Sequence, residues 1–278
     1  MNDTWTIAKE WPDLILDKLE GSGVARITLN RPAKRNSWNQ SMCLAFFEAL
    51  DLIRPDRSIK AVITRGAGPV FSSGLDLTFL REVQSGPLLD WDRPGLTIRL
   101  AEAIRIFPRI MIAQLHGYCL GGAFGIMNCH DLAYAADDCQ IGMPEILRGS
   151  FGQLVTSTLL HGGLPVKKLA QVALVGRNLT GKEADQLGIV SQAVPAADLE
   201  SFTIGIAKEI GTRHLAPLEH HKITVQLGRD LGFSQAIQVD QLVGARMDHA
   251  MDPLDDVENY LASQKGGLNL NYKRPDVD

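Results

Sequence analysis

The sequence lacks the features of several large classes of protein. It has four cysteines in 278 residues, and their positions show no paired metal-ligand spacing: Cys43, Cys119, Cys129 and Cys139. No apolar run approaches the roughly 20 residues that a helix needs to cross a bilayer. No signal-like segment opens the chain. These absences argue against a disulfide scaffold, a zinc module and a membrane span, and we expect a cytoplasmic protein without a metal ion.

Charge is also nearly balanced. The formal net charge is −4 and the sequence pI is near 6.0, which argues against a general role on nucleic acids or on membrane surfaces. The length is enough for one large domain, or for a core with a small appendage, and for a sizeable buried interior.

The chain begins its regular pattern with two strands and a helix. Residues 14–20 and 24–29 are typical of strands joined by a Gly-Ser-Gly turn. Ser37 or Asn39 is suited to cap the helix that follows, whose apolar residues recur at helical spacing: Met42, Phe46, Ala49, Leu50 and Ile53. Further units begin at Lys60, at Ile110 and near Leu132, so periodicity predicts an α/β protein.

Three segments fall outside this repeat. We expect residues 1–13 to be an N-terminal tail, loose over its first nine residues. Residues 81–98 contain two prolines and no clean periodicity, which predicts a loop over the site. The core is expected to span residues 14–198, and residues 199–278 to form helices of mixed charge, at 199–213, 217–231, 233–250 and 253–264.

A glycine-rich turn is the most informative local feature. Residues 117–123 read Gly-Tyr-Cys-Leu-Gly-Gly-Ala, and they join the apolar strand 110–115 to a helix that opens near Phe124. A second turn ends at Gly74-Leu75 after the strand 60–65. Backbone N–H groups at such turns have no partner within a helix. The N–H groups of Leu75 and Gly122 are therefore candidates for a pair of donors to one oxygen atom.

One carboxylate follows this turn. Glu145 comes after residues 139–143, a short strand-like run, so a loop at the strand end is able to aim its side chain into a pocket.

Five segments together resemble the crotonase superfamily, the enoyl-CoA hydratase/isomerase family, in order and spacing. They are residues 29–36 (Leu-Asn-Arg-Pro-Ala-Lys-Arg-Asn), 71–77 (Phe-Ser-Ser-Gly-Leu-Asp-Leu), 117–123, 142–145 (Gly-Met-Pro-Glu) and 187–190 (Leu-Gly-Ile-Val). The resemblance covers roughly residues 14–265. It implies a spiral of ββα units whose C-terminal helices assemble the chain into a homo-trimer or a dimer of trimers.

The resemblance also implies a chemistry. The matching glutamate, Glu145, would act as acid or base beside a thioester whose carbonyl lies between the Leu75 and Gly122 N–H groups. Hydratases of the family carry a second Glu three residues after the oxyanion glycine, and this chain has Gly125 there. A single carboxylate favours proton transfer on an enoyl-CoA, with isomerisation slightly ahead of hydration.

The substrate would be an acyl-CoA thioester, with coenzyme A as part of the substrate and no permanently bound cofactor. The segments that match the CoA-binding positions of relatives contribute the following candidates: Lys34, Arg35, Ser73, Gly74, Asp76, Tyr118 and Gly121. Lys34 and Arg35 carry the positive charge that phosphate groups attract.

Alternatives remain open within and beyond this family. Phe124-Gly125 and residues 152–155 resemble the hydroxycinnamoyl-CoA hydratase-lyases, which also use one Glu. Relatives that hydrolyse C–C bonds or thioesters use other polar side chains, and here His116 and Gln153 are the nearby candidates. A non-catalytic CoA-thioester or RNA-binding relative is the alternative of another class, against which the acidic charge and the retained Glu145 both count.

Overall fold

The computed structural model describes residues 3–85, 95–250 and 257–267. The chain separates into two compact units, Met1–Gly211 and Thr212–Asp278. The strands of the first unit are β1 (Trp5–Trp11), β2 (Leu14–Leu19), β3 (Val24–Leu29), β4 (Ala61–Gly66), β5 (Ile110–Leu115), β6 (Tyr118–Leu120), β7 (Leu132–Ala136), β8 (Gln140–Gly142) and β9 (Gln192–Val194).

The helices of the first unit are α1 (Gln40–Ile53), α2 (Leu77–Ser85), α3 (Leu96–Arg105), α4 (Gly122–Met127), α5 (Val155–His161), α6 (Val166–Val175), α7 (Gly181–Gln186) and α8 (Leu199–Gly211). Two short 3-10 helices cover Pro32–Lys34 and Pro144–Arg148. The second unit contains α9 (Leu215–Gly228), α10 (Phe233–Ala250) and α11 (Val257–Ser263).

The main sheet has the strand order β1-β2-β3-β4-β5-β7-β9. The first three strands are antiparallel, and every pairing from β3 to β9 is parallel. The parallel strands are almost continuously apolar and buried, as in β4 and β5. That is the pattern of strands covered on both faces.

A second, smaller layer carries the site. β6 pairs in parallel with β8, and isolated bridges extend this pairing from Cys119 to Ser72 and from Ile141 to Leu179. Successive turns of the chain therefore place one strand in the main sheet and the next extended segment in the small layer. This is the repeated ββ unit that the sequence resemblance implied.

Helix α1 forms where the apolar spacing predicted it. Of the two expected caps the fold uses Asn39, whose Oδ1 accepts the Met42 N–H at 2.8 Å. The buried face contains the predicted side chains, among them Phe46 and Leu50, and it packs on β2, β3 and α3. Helix α8 covers β4, β5 and β7.

The N-terminal segment forms a strand, which differs from the expected tail. Residues 1–9 were expected to be a loose tail, but β1 pairs with β2 from Trp5 to Trp11. Two aromatic side chains fix this edge strand. The Arg26 guanidinium lies 3.7 Å from the centre of the Trp5 ring, and the Trp11 indole N–H donates to Glu48 at 2.9 Å. The polar residues between the tryptophans face solvent on an edge strand, which hides its periodicity.

The expected loop at residues 81–98 is partly wrong. Its start lies in α2 and its end in α3, and residues 86–94 lie outside the described residues. Asp76 begins α2 by accepting the Thr78 N–H at 2.9 Å. In α3 the buried residues Leu100, Ala101 and Ile104 recur at helical spacing, but most of this periodicity begins after residue 98.

The described residues of the second unit are mostly helical, and α9, α10 and α11 overlap the last three predicted segments; residues 253–256 of the final predicted segment lie outside the described residues. Within it α9 packs against α10. Residues 199–211, which were assigned to the C-terminal helical region, form α8 and fold with the first unit. The role of the C-terminal helices in oligomerisation stays a prediction.

Candidate active site

The two glycine turns predicted to supply donors lie in direct contact. A Cβ atom on Gly74, whose φ is +101°, would lie 2.7 Å from the Leu120 carbonyl oxygen and 3.5 Å from the Gly122 nitrogen. A Cβ on Gly122 would lie 2.8 Å from Leu75 Cγ. Both positions must therefore be glycine for the turns to approach each other, which places Leu75 beside Gly122.

Neighbouring N–H groups are used by the fold, whereas the two candidate donors are free. Gly74 N–H donates to Ser72 Oγ at 3.2 Å, Asp76 N–H to the Trp38 carbonyl at 2.8 Å, and Gly121 N–H to the Gly142 carbonyl at 2.9 Å. Within residues 3–85, 95–250 and 257–267, the N–H groups of Leu75 and Gly122 have no hydrogen-bond acceptor. Two unpaired donors in contacting turns suit a carbonyl oxygen that gains negative charge.

Glu145 lies against the second of these turns. It is in the 3-10 helix that follows β8, and its carboxylate occupies the space where a side chain at Gly121 would be, because a Cβ there would overlap Glu145 Oε1. The Oε2 atom is buried and has no hydrogen-bond partner in the described part of the chain. The pairing of β8 with β6 thus places the Glu145 carboxylate beside the glycine turn.

Burial raises the pKa of the Glu145 carboxyl above its ordinary value, and this outweighs a backbone hydrogen bond and the Arg148 charge, which lower it. A carboxylate with a raised pKa holds a proton more readily near neutral pH. Such a group is suited to take a proton from carbon and return it.

The space beside Gly125 is apolar. A Cβ at this position would lie 3.0 Å from Leu154 Cγ. The position that lacks a second carboxylate in the sequence is thus filled by a leucine from the segment before α5.

The candidate CoA-binding residues divide into two groups. Lys34 and Asp76 line a surface depression of about 340 Å³, together with Arg31, Asn39, Gln40, Ser41, Thr78 and Phe79. Arg35 and Ser73 do not line it, although Ser73 N–H donates to the Arg35 carbonyl at 2.9 Å. The Lys34 side chain is exposed and, within the described chain, has no ion pair.

Asp76 already has partners in the fold. Burial raises the pKa of its carboxyl, but the Thr78 N–H and the Arg31 guanidinium outweigh this and leave the pKa below its usual value. Its Oδ2 lies 3.2 Å from Arg31. This ion pair links the segment before α1 to the start of α2, next to the Leu75 donor.

The remaining candidates are more peripheral. Tyr118 on β6 is exposed, and so is Gln153. The His116 ring Nε2 lies 2.9 Å from the Gly68 carbonyl oxygen, and burial lowers the pKa of the ring. Among the described residues neither His116 nor Gln153 hydrogen-bonds to Glu145.

Two buried residues that the sequence did not single out support the first donor turn. Asn36 Oδ1 accepts the Arg31 N–H at 2.9 Å, and its Nδ2 donates to the Ala67 and Val70 carbonyls at 2.8 Å each. Trp38 N–H donates to the Gly74 carbonyl at 2.9 Å. The sequence signal for Asn36 was weak, because it consists of the residue type alone: the structure gives this residue a φ of +52°, a conformation that asparagine tolerates better than most residues.

Two negative findings concern the described residues only. No group of three or more His, Cys, Asp or Glu side chains is arranged to hold a metal ion in them. None of their helices combines the length and the apolar character that crossing a membrane requires.

The structure is thus an α/β spiral in which the Glu145 carboxylate lies beside Gly121 and two N–H groups in the adjoining turns have no acceptor among the described residues. The family model described as enoyl-CoA hydratase/isomerase matches residues 20–243. The chain belongs to this family, within the crotonase superfamily.

Curated relatives differ in the reactions named for them. The chain is 27% identical over 216 residues to a hydroxycinnamoyl-CoA hydratase-lyase of Pseudomonas fluorescens, covering 77% of this chain and 78% of that protein. It is 26% identical over 229 residues to a 2,3-dehydroadipyl-CoA hydratase of Escherichia coli K12, covering 81% and 88%.

A solved structure has the same fold. The enoyl-CoA hydratase of Mycobacterium smegmatis superposes with a TM-score of 0.82 at 23% identity, covering 91% of this chain and 97% of that one. This similarity confirms the crotonase fold that the sequence resemblance implied.

Proposed function

We propose that the protein catalyses proton transfer on an enoyl-CoA thioester, with Glu145 as the only carboxylate that moves the proton. The observation that carries this proposal is the buried Glu145 Oε2 beside Gly121, in the same pair of turns as the N–H groups of Leu75 and Gly122; in the described part of the chain none of the three has a hydrogen-bond partner. A substrate carbonyl and its neighbouring carbon supply the partners that these groups lack.

The proposed reaction is allylic isomerisation. With the thioester oxygen between the two N–H groups, Glu145 removes a proton from C2 of a 3-enoyl-CoA, and the electron pair passes into a dienolate whose negative oxygen the donors stabilise. Glu145 then returns the proton to C4, which leaves the double bond between C2 and C3. Removing one donor of an oxyanion hole typically lowers the rate about 100- to 1,000-fold.

Gly125 supports isomerisation over hydration. Addition of water to a 2-enoyl-CoA places hydroxyl on C3 and a proton on C2, and it is easiest when one carboxylate activates the water and another serves the proton. Here Gly125 supplies no second carboxylate, and Leu154 fills the adjoining space.

CoA recognition is proposed for the depression beside the donor turn. Its lining includes the cations Lys34 and Arg31, and Arg31 is partly neutralised by Asp76. Lys34 is therefore the cation we assign to a CoA phosphate. Asp76, the residue after Leu75, lines the depression, and we therefore assign the thioester end of a molecule held there to the side of the donors.

A second candidate function is a hydroxycinnamoyl-CoA-type hydratase-lyase or a C–C bond hydrolase. The favouring observation is the similarity to the Pseudomonas fluorescens hydratase-lyase. Tyr118, which is 43% exposed on β6, is an aromatic side chain available to a ring-bearing acyl group.

The test is a panel of 3-enoyl-CoA, 2-enoyl-CoA and feruloyl-CoA with product analysis by mass. Isomerisation leaves the mass unchanged, hydration adds one water, and cleavage releases an aldehyde. Conversion of 3-enoyl-CoA at constant mass as the fastest reaction supports the proposal. Faster hydration, or release of an aldehyde, overturns it in favour of the corresponding alternative.

Glu145→Gln separates an enzyme from a non-catalytic CoA-thioester or RNA-binding relative. We expect turnover to fall at least about 1,000-fold, since the proton acceptor is lost, while binding of an acyl-CoA persists. Glu10→Gln, an exposed position on β1, is the matched control. Full turnover in Glu145→Gln would refute the single-carboxylate mechanism.

We also propose that the C-terminal helices assemble the chain into a homo-trimer or a dimer of trimers. Large apolar side chains of α10 are exposed in the single chain, among them Leu242, which is 73% exposed. Light scattering measures the assembly mass directly. Leu242→Asp is expected to reduce it, and a monomeric wild-type protein would contradict the assignment.

A further inference from the structure

Leu154 occupies the space that a side chain at position 125 would need. A Cβ on Gly125 would lie 3.0 Å from Leu154 Cγ, 3.1 Å from Cδ2 and 3.3 Å from Cβ. These separations are closer than ordinary van der Waals contact, so even alanine at 125 forces the leucine to move. A longer side chain, such as glutamate, begins from the same crowded Cβ position beside the branched end of the leucine.

The backbone of Leu154 is strained. Its φ is +77° and its ψ is −40°, which lies outside the regions that residues with a Cβ normally adopt. Such conformations persist where the surrounding structure imposes them, and they are concentrated at functional sites. A glycine would adopt these angles without strain, yet the chain has a leucine.

Hydrogen bonds hold the strained residue in place. The Leu154 carbonyl accepts the Thr158 N–H at 3.1 Å and the Thr158 hydroxyl at 2.9 Å. Asn128 Nδ2 donates to the same hydroxyl oxygen at 3.0 Å. Asn128 is the C-cap of α4, the helix that contains Gly125. Leu154, which contacts Gly125 in α4, is thus linked through Thr158 and Asn128 to the C-terminal end of the same helix.

This contact is one turn from the candidate donor. Gly125 follows Gly122 by three residues in α4, and residues three apart lie on the same side of a helix. Leu154 is only half-buried, so part of its side chain remains open rather than enclosed in the core.

We propose that Leu154 is a specificity-determining residue, which excludes a second carboxylate and its activated water from the site and so restricts the enzyme to single-carboxylate chemistry. This inference rests on the proposed function. Gly125 and Leu154 together then determine whether the enzyme isomerises or hydrates an enoyl-CoA, and Gly125 alone does not. Restoring a carboxylate at 125 requires removal of the leucine.

The test compares wild type with Gly125→Glu, Leu154→Gly and the double variant on a short, unbranched 2-enoyl-CoA. The double variant is expected to hydrate it at least 10-fold faster than wild type and than either single variant. Gly125→Glu alone is expected to gain no hydration, because its side chain collides with Leu154. Equal hydration by Gly125→Glu and the double variant, or no gain in the double variant, overturns the proposal.

A second measurement is independent of turnover. Gly125→Ala is expected to lower the melting temperature of the wild type by several degrees and to have little effect in the Leu154→Gly background. Gly205→Ala is the matched control, since Gly205 is also helical and a Cβ there meets nothing within 4 Å; its effect should be the same in both backgrounds.

The two measurements distinguish the ways of failing. A wild type that converts no acyl-CoA refutes the proposed function, while the coupling between positions 125 and 154 is still measured. An equal effect of Gly125→Ala in both backgrounds refutes the role of Leu154 even if isomerisation is found. Leu154→Ala serves the same comparison if the glycine variant does not fold.

Discussion

The Glu145 carboxylate lies where Gly121 has no side chain. A Cβ on Gly121 would overlap Glu145 Oε1, and the glycine has a φ of +55°. The residue that forms the turn and the residue that carries the acid are thus matched to each other, although 24 positions separate them.

Gly121→Ala is expected to lower turnover at least about 100-fold, because the new methyl group displaces the carboxylate from its productive position. Gly21→Ala is the control. Gly21, in the turn between β2 and β3, also has a positive φ, +66°, and a Cβ there meets nothing within 4 Å, so this variant reports backbone strain away from Glu145. Equal losses in the two variants, measured with one enoyl-CoA, would contradict the predicted role of the contact.

The pH dependence should follow the Glu145 carboxyl. The base must be ionised to accept a proton, so kcat/KM falls as the pH drops through its pKa. Burial raises this pKa, and the acid limb is therefore expected above the ordinary glutamate value of about 4.3.

The charge of Arg148 lowers the same pKa, and Arg148→Gln should therefore move the acid limb to still higher pH. Arg57→Gln, at an exposed position after α1, is expected to leave the profile unchanged. If the acid limb of the kcat/KM profile moves to lower pH in Arg148→Gln, or does not move, a group other than Glu145 controls it.

Asn36→Ala is expected to destabilise the fold and to lower activity together. The change removes three hydrogen bonds of a buried side chain, one of them to a fully buried partner, and leaving a buried partner unsatisfied costs about 1–3 kcal/mol. Denaturant unfolding gives the stability, and kcat/KM gives the activity of the folded enzyme.

A comparison variant separates the two effects. Thr180→Ala removes the N-cap of α7 and is expected to cost about 1 kcal/mol with kcat/KM unchanged. If Asn36→Ala also kept full kcat/KM under conditions where it is folded, the donor turn would not depend on Asn36.

Lys34→Gln is expected to raise KM for an acyl-CoA about fivefold with kcat unchanged, since one exposed ion pair with a phosphate contributes about 1 kcal/mol. Lys168→Gln, exposed on α6, should leave KM unchanged. The difference should shrink at high ionic strength because salt screens the pair. A changed kcat with unaltered KM would place Lys34 outside the CoA site.

Much of the fold was predictable from local patterns. The apolar spacing of α1, the buried runs of β4 and β5 and the Gly-Ser-Gly turn before β3 each depend on neighbours in sequence. Edge strand β1 was not predictable in this way, because its pairing with β2 and its tryptophan contacts join it to residues farther along the chain.

The sequence by itself determined that two glycine turns and one following glutamate exist, and that Gly125 has no carboxylate. Only the tertiary structure decided that Glu145 meets Gly121, that Gly74 lies beside Gly122 and that Leu154 fills the space at Gly125. The physical reason is that chemical type and local conformation are set by short segments, whereas these contacts are set by the pairing of β6 with β8 and by the packing of α5 on α4.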